Sequence, residues 1–314
     1  MGSPPLSLLV CDHRGDGLTE ALRPLSSVGF QVEVSTGLRA SREQLARTRP
    51  DAVILDPLSE GGVVELGEIA ATLGSRPVPV LLVADPQDPR RAVQAARALG
   101  NGPWDVVYRN APVEEILLRI DRLRRQAQGL VELDEMRFQA VHDDRTELLR
   151  PIPFQSRLRE HFSAAQRHRF DLALILVDLD HFGRVNKEFD HTVGDHVIDR
   201  VGTVIRESLR AEDVGGRVGG DEFAIVLPYT RRVDAARVVH RLRDQIRGIS
   251  GPMDASGRDV AIAASIGFET FDGTDLESVE ALRRRAEVAL RAAKDLGGNR
   301  AVYYRSLEGA GQRG

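Results

Sequence analysis

From Leu6 to about Tyr108 the chain alternates short apolar runs with amphipathic stretches. The runs are Leu8-Leu9-Val10, Val32-Glu33-Val34, Ala52-Val53-Ile54-Leu55, Val80-Leu81-Leu82-Val83 and Val106-Val107. Helical candidates such as Ser41 to Arg47 and Pro89 to Leu99 lie between them. This alternation predicts a compact α/β domain, a doubly wound parallel sheet of five strands covered by helices. At Pro112 the pattern changes, because that residue suits a helix start and the stretch after it runs to Arg150 without another proline. Ile116, Ile120, Leu123, Ala127 and Leu130 recur there at alternating spacings of four and three. Such spacing fits the seam of a two-stranded coiled coil; up to Leu123 it fits equally a terminal helix packed on its own domain. The segment Leu149-Arg150-Pro151-Ile152-Pro153 then stops the helix, since each proline disfavours helix at the residue before it.

The second half predicts a helix, a strand from Leu172 to Val177, further helices, and a β-hairpin around Gly219-Gly220. A helix from Val233 to Ile246, a strand from Val260 to Phe268, a helix from Leu276 to Leu296 and a last strand near Val302 follow. Mixed order with a hairpin means an α/β domain with an antiparallel component. The expected domains are residues 1–112, a linker helix at 113–142, a second domain at 143–308 and a flexible tail at 309–314.

Length and composition agree with two domains, since 314 residues are enough for two separate cores. With 42% hydrophobic and 29% charged residues, the composition is globular rather than disordered, and a net charge of -4 offers no basis for nucleic-acid binding. The apolar run from Leu6 to Cys11 is too short for a signal peptide or a membrane span, and the single cysteine cannot form an internal disulfide. A cytoplasmic protein without a membrane or nucleic-acid partner is therefore expected.

Candidate chemistry lies in the second half. The apolar strand Leu174-Ile175-Leu176-Val177 ends in Asp178-Leu179-Asp180, so alternation puts both carboxylates on one face at the strand's C-terminal edge. Open α/β sheets bind ligands at that edge. A second acidic pair, Asp221-Glu222, follows Gly219-Gly220 in a tight hairpin, where glycine permits positive φ and a close approach of backbone to a bulky ligand. Carboxylates converging from two loops supply the hard oxygen ligands that magnesium with a triphosphate requires. An acidic turn facing solvent explains an Asp-Glu pair equally well, and the pattern alone leaves that choice open.

Gly219-Gly220-Asp221-Glu222-Phe223, with its surroundings, resembles the GGDEF family of diguanylate cyclases, which condense two GTP molecules into cyclic di-GMP. The likeness extends over roughly residues 143 to 305. It includes Asp178-Leu179-Asp180-His181-Phe182, Asn186, His191, Gly194-Asp195, Arg217, Ser265-Ile266-Gly267 and Ala292-Ala293-Lys294 in family order. The resemblance implies that Asp178, Asp221 and the Leu179 backbone hold Mg2+, or Mn2+ in its place, and that Glu222 deprotonates the attacking 3′-hydroxyl. It implies that Asn186 and Asp195 pair the guanine edge, with His191, Phe182, Gly219 and Gly220 around the nucleotide and Lys294 on its phosphates. An amide plus a carboxylate matches guanine's acceptor and donors and leaves groups unsatisfied against adenine. Arg210 and Asp213, three apart and shortly before the glycines, match the family's inhibitory product site, with Arg241 as a second contact. One domain holds one GTP, so the reaction implies a homodimer with two facing sites.

Several family positions differ. Gly183 replaces a lysine and Gly298 an arginine, both basic residues near phosphate. The opening turn, normally an aspartate, a leucine-threonine pair, a glycine and an asparagine, reads Asp143-Asp144-Arg145-Thr146-Glu147-Leu148-Leu149-Arg150. These losses leave an alternative in which the chain is a cyclic di-GMP receptor that regulates a partner protein. The first half resembles a response-regulator receiver with Asp56 at the phosphoacceptor position. Its supporting residues depart from that pattern: one carboxylate in Cys11-Asp12-His13, Val83 for a hydroxyl, and Arg109-Asn110 for a lysine-proline pair. A degenerate receiver that answers to a protein partner, or serves to dimerise, is expected.

Overall fold

The computed structural model describes residues 5–12, 18–57, 71–72, 77–189, 191–249 and 260–311. They form two compact units, dividing between Met136 and Arg137. In the first unit five wholly apolar or alternating runs become strands β1 (Leu6–Cys11), β2 (Phe30–Ser35), β3 (Ala52–Leu55), β4 (Val80–Ala84) and β5 (Trp104–Tyr108). Their order is β2-β1-β3-β4-β5 and every pairing is parallel. β3 and β4 are buried along their full length, as strands covered on both faces must be. Helices α1 (Leu18–Leu22), α2 (Leu38–Thr48), α3 (Pro89–Ala98) and α4 (Val113–Val141) accompany the sheet.

Ile116, Ile120 and Leu123 of α4 are buried in the same apolar cluster as Leu8, Ile54 and Leu81 of the sheet, and Ala127 is buried as well. The four-three spacing therefore closes the first unit's own core and offers no dimer seam over this stretch. A 3.6-residue stripe and a heptad seam coincide over two turns, so the pattern could not separate them. Leu118 is exposed on α4 outside this stripe, and past Ala127 Leu130, Leu133, Met136 and Phe138 are exposed as well.

The second unit opens with a tight turn at Asp143–Glu147. α4 ends at Val141, ahead of the prolines expected to stop it, because the chain turns at Asp143; those prolines instead start the next helix, α5 (Pro151–His168), with proline in its first turn. β6 (Leu172–Leu179), α6 (Phe182–Phe189), α7 (His191–Ser208), β7 (Val214–Arg217), β8 (Glu222–Pro228), α8 (Arg232–Arg247), β9 (Ala264–Phe271), α9 (Val279–Asp295), β10 (Ala301–Tyr303) and α10 (Tyr304–Gly311) complete it. The sheet order is β10-β9-β6-β8-β7, antiparallel except for β9 with β10. Val193, Val197, Val201, Val239 and Leu242 of α7 and α8 cover one face, and Phe154, Leu158, Phe162, Leu282 and Ala286 of α5 and α9 cover the other. The mixed α/β fold is as expected. Boundaries differ in places: β9 runs Ala264–Phe271 rather than Val260 to Phe268, α9 begins at Val279 rather than Leu276, and the glycine-rich C-terminus is helical to Gly311. Residues 312–314 of the expected tail lie outside the described residues. Among the described residues no helix is long and apolar enough to cross a membrane.

Candidate active site

β6 and β8 run antiparallel, and their register sets Asp178 directly opposite Glu222. The Leu179 N–H donates to the Asp221 carbonyl at 3.2 Å, so the hairpin's acidic pair is tied to the end of β6 by backbone. Phe223 is the hairpin's anchor: it is fully buried opposite Val177, while its neighbour Glu222 is exposed. Strand alternation thus turns one apolar side chain inward and presents the carboxylate beside it to the edge.

Asp178 itself is buried, and Lys294 Nζ reaches its carboxylate at 2.5 Å. Burial pushes the Asp178 carboxyl above the usual carboxylate range; Lys294 opposes that, and the charges of Asp221 and Glu222 add to it. Three carboxylates faced by one half-exposed ammonium form an electronegative edge that suits a divalent cation. Among the described residues no group of three or more His, Cys, Asp or Glu side chains is closed enough to hold a metal unaided. An open set completed by substrate oxygens is what magnesium with a triphosphate uses. The residues therefore fit the cation, with Asp178, Asp221 and the Leu179 backbone as the group that would hold it.

The two hairpin glycines work differently from expectation. Neither Gly219 nor Gly220 takes a left-handed conformation. Gly219 is needed for space: a Cβ there would lie 2.6 Å from Glu222 Oε2, so the catalytic-candidate carboxylate folds over the bare glycine backbone. Gly220 has open space in place of a side chain. The turn is held from below by Arg217, whose guanidinium donates to the Gly220 carbonyl at 2.7 and 3.2 Å and to Asp143 at 3.2 Å. Asp143 also accepts from the Thr146 N–H and Oγ at 2.9 and 2.7 Å. Burial acts upward on the Asp143 carboxyl, but Thr146 and Arg217 outweigh it and hold it below the usual range. The opening turn that looked degraded is thus an intact brace, in which Glu147 adopts φ 53° where the family pattern has glycine.

Asn186 on α6 lies over Gly194 on α7, where a Cβ would sit 1.8 Å from its Oδ1 and 3.3 Å from Phe182. Asp195 follows, with its carboxylate 2.7 Å from the Arg145 guanidinium. Asn186, Phe182 and Asp195 are therefore brought together, and exposed His191 begins the same helix. Asp180, paired by strand alternation with Asp178 at this edge, is engaged elsewhere: its carboxylate accepts from Ser265 Oγ and the Asn299 N–H, both at 2.6 Å. A Cβ at Gly298, which has φ 73°, would meet that carboxylate at 2.9 Å. Glycine at 298 is fitted to this loop as well as lacking the arginine's charge, and Arg300 Nε turns back onto the Gly298 carbonyl.

At the other end of α7, the Arg210 N–H donates to Asp213 at 2.9 Å, and Arg241 donates to the Ser208 carbonyl at 3.3 Å. The three expected product-site residues are neighbours, with the Arg210 side chain outward. In the first unit Asp56 is fully buried after β3 and ion-paired with Arg109, while Asp12 accepts from Thr19. His13 lies outside the described residues.

A family model for the GGDEF domain of diguanylate cyclases matches residues 140–300, just over half of the chain. The chain belongs to this family. The diguanylate cyclase DgcP of Pseudomonas aeruginosa is 31% identical over 60% of this chain and 28% of its own length. The response regulator PleD of Caulobacter vibrioides is 30% identical over 73% of this chain and 50% of its own. The chain thus spans half or less of the length of these relatives. Among solved structures, the coiled coil and GGDEF domain of DgcB from Caulobacter crescentus with c-di-GMP aligns with TM-score 0.54 and 27% identity, covering 60% of this chain and 98% of that one. The diguanylate cyclase SiaD in complex with its activator SiaC from Pseudomonas aeruginosa aligns with TM-score 0.50 and 29% identity, covering 61% and 71%.

Proposed function

We propose that the chain is a homodimeric, cytoplasmic diguanylate cyclase in which a receiver-like N-terminal unit controls a GGDEF domain. The observation that carries this reading is the register of β6 against β8, which sets Asp178 opposite Glu222, with Asp221 and Lys294 at the same edge. In each half-reaction the 3′-oxygen of one GTP attacks the α-phosphorus of the other, the α–β bridging bond breaks, and pyrophosphate leaves; two such steps close the ring. Mg2+, when bound by Asp178, Asp221 and the Leu179 backbone, supplies charge neutralisation on the phosphates. Glu222, exposed at the start of β8, takes the 3′-hydroxyl proton. Asn186 and Asp195 read guanine, Phe182 and His191 border the base, and Gly219 and Gly220 let the hairpin backbone approach the nucleotide. Lys294 moves from Asp178 to phosphate when the nucleotide and its cation arrive.

Cyclic di-GMP is expected to return to Arg210, Asp213 and Arg241 as an inhibitor. Asp56, paired with Arg109 where a receiver has lysine, favours control by a protein partner over a phosphorylation switch; the match to a response regulator supports the receiver assignment. The receptor reading draws on Gly183 and Gly298, which remove two charges near phosphate. Pyrophosphate release from GTP and magnesium separates the two. Release by the wild type that falls at least a hundredfold in Glu222→Gln supports the cyclase, whereas equal background rates with tight cyclic di-GMP binding support the receptor.

A further inference from the structure

The guanine-reading carboxylate is not waiting open. Asp195 Oδ2 lies 2.7 Å from the Arg145 guanidinium, with both side chains nearly half exposed. Arg145 stands where the family pattern has leucine, which could make no such contact. Its backbone is fixed by three independent anchors on the same turn. Asp143 accepts from Thr146 and Arg217 on one side. The Thr146 side chain rests on Gly202 of α7, where a Cβ would meet it at 2.6 Å. Arg206 of α7 bonds the Thr146 carbonyl and pairs with Glu147 at 3.3 Å. The turn is therefore clamped to the helix that carries Asp195, and the guanidinium is delivered to that carboxylate by a rigid mount.

We infer that Arg145 is a positioning residue that competes with guanine for Asp195, so that nucleotide entry is an exchange rather than a simple docking. This rests on the proposed role of Asp195 in reading the base. The guanidinium offers the carboxylate two N–H donors in a fork, and the guanine N1–H and N2–H offer the same pair in the same plane. Both cannot occupy one carboxylate edge. Binding of the base then requires Arg145 to swing off Asp195 into solvent, which its exposure permits, and the apparent affinity for GTP is lowered by the strength of the pair. An exchange of this kind raises the GTP concentration at which the site fills while leaving the chemistry at Asp178 and Glu222 untouched.

The test is calorimetric titration of nucleotide-stripped full chain with 3′-deoxy-GTP and magnesium, which cannot react because the attacking hydroxyl is missing. Removing a half-exposed pair is worth about a twofold to fivefold change, so Arg145→Leu should bind that much more tightly, and Arg145→Lys, which keeps the charge without the planar fork, should fall between wild type and Arg145→Leu. In an Asp195→Asn background the Arg145→Leu gain should vanish, because the two positions form one thermodynamic pair. Raising salt from ~0.1 to ~1 M should narrow the gap between wild type and Arg145→Leu, as an exposed ion pair is screened. Arg145→Leu binding equal to or weaker than wild type overturns the inference while Asp195→Asn still loses affinity and keeps the site reading. Should neither wild type nor Arg145→Leu bind the nucleotide, the site reading and the inference fall together.

Discussion

Gly267 is the point at which the fold and the site are most tightly coupled. It lies in β9, beneath α9, and a Cβ there would stand 2.1 Å from the Leu290 N, 2.5 Å from the Ala286 O and 2.5 Å from the Leu290 Cα. All three are helix backbone atoms, so no side-chain rotation relieves the overlap. Ordinary contact needs about 3.5 Å, and Gly267→Ala therefore forces α9 off the sheet by roughly 1 Å. Overpacking of this kind costs about 1–3 kcal/mol, and a rigid backbone obstacle belongs at the upper end. For a domain of this size that corresponds to a fall in Tm of about 6–12 °C. The same helix carries Lys294 one turn beyond Leu290, and its 2.5 Å contact with Asp178 would be lost. A displacement of ~1 Å at such a position can cost ~100-fold in rate. The assay is thermal circular dichroism beside fluorescence of Trp104, the chain's single tryptophan, which lies in β5 of the first unit. The tryptophan transition should stay at its wild-type temperature while the dichroism transition of the second unit drops, and cyclase activity should fall with it. A variant with wild-type melting and wild-type turnover would refute the packing argument.

Asp143→Ala should destabilise the second unit by about 2–3 kcal/mol, because it strands the largely buried Arg217 and removes charged hydrogen bonds. The Asp143 carboxyl is held below its unfolded value, so its contribution is fully present above about pH 4 and is lost as pH falls through the lower folded value. Urea midpoints at about pH 6 and pH 3 should therefore converge between wild type and variant on acidification; a constant gap would contradict the assignment. At the proposed product site, burial pushes the Asp213 carboxyl upward, and the Arg210 N–H only partly offsets this. A carboxylate that must be ionised to accept from guanine then loses cyclic di-GMP as pH falls through a value above the ordinary ~3.9. Asp213→Asn should bind weakly at every pH with GTP binding nearly unchanged, and equal loss of both ligands would remove the two-site picture.

Much of the candidate site's placement was legible because its carboxylates sit where a strand ends. Leu174 to Val177 had to be buried, so Asp178 had to emerge at the edge; that Phe223 anchors the hairpin by pointing inward came from the structure. The five strands of the first unit were legible too, as apolar runs of strand length. What periodicity cannot supply is the identity of the surface that covers an apolar stripe, and so Ile116, Ile120 and Leu123 fitted a dimer seam as well as the core that contains them. Pairs distant in sequence leave no pattern either. Arg217 with Asp143, Arg145 with Asp195 and Asp180 with Ser265 and Asn299 are each created by the fold. Glu147 shows the limit of reading a turn by composition: glycine's conformation is kept by a residue that braces itself against Arg206.

The measurement that bears most directly on the account is chromatography with mass detection of the products formed when stripped full chain is incubated with equimolar GTP and ATP in magnesium. The account predicts cyclic di-GMP with two pyrophosphates per ring and no adenine-containing dinucleotide, since the proposed base readers Asn186 and Asp195 would leave groups unsatisfied against adenine. Absence of any cyclic dinucleotide, or a product that incorporates adenine as readily as guanine, would contradict it.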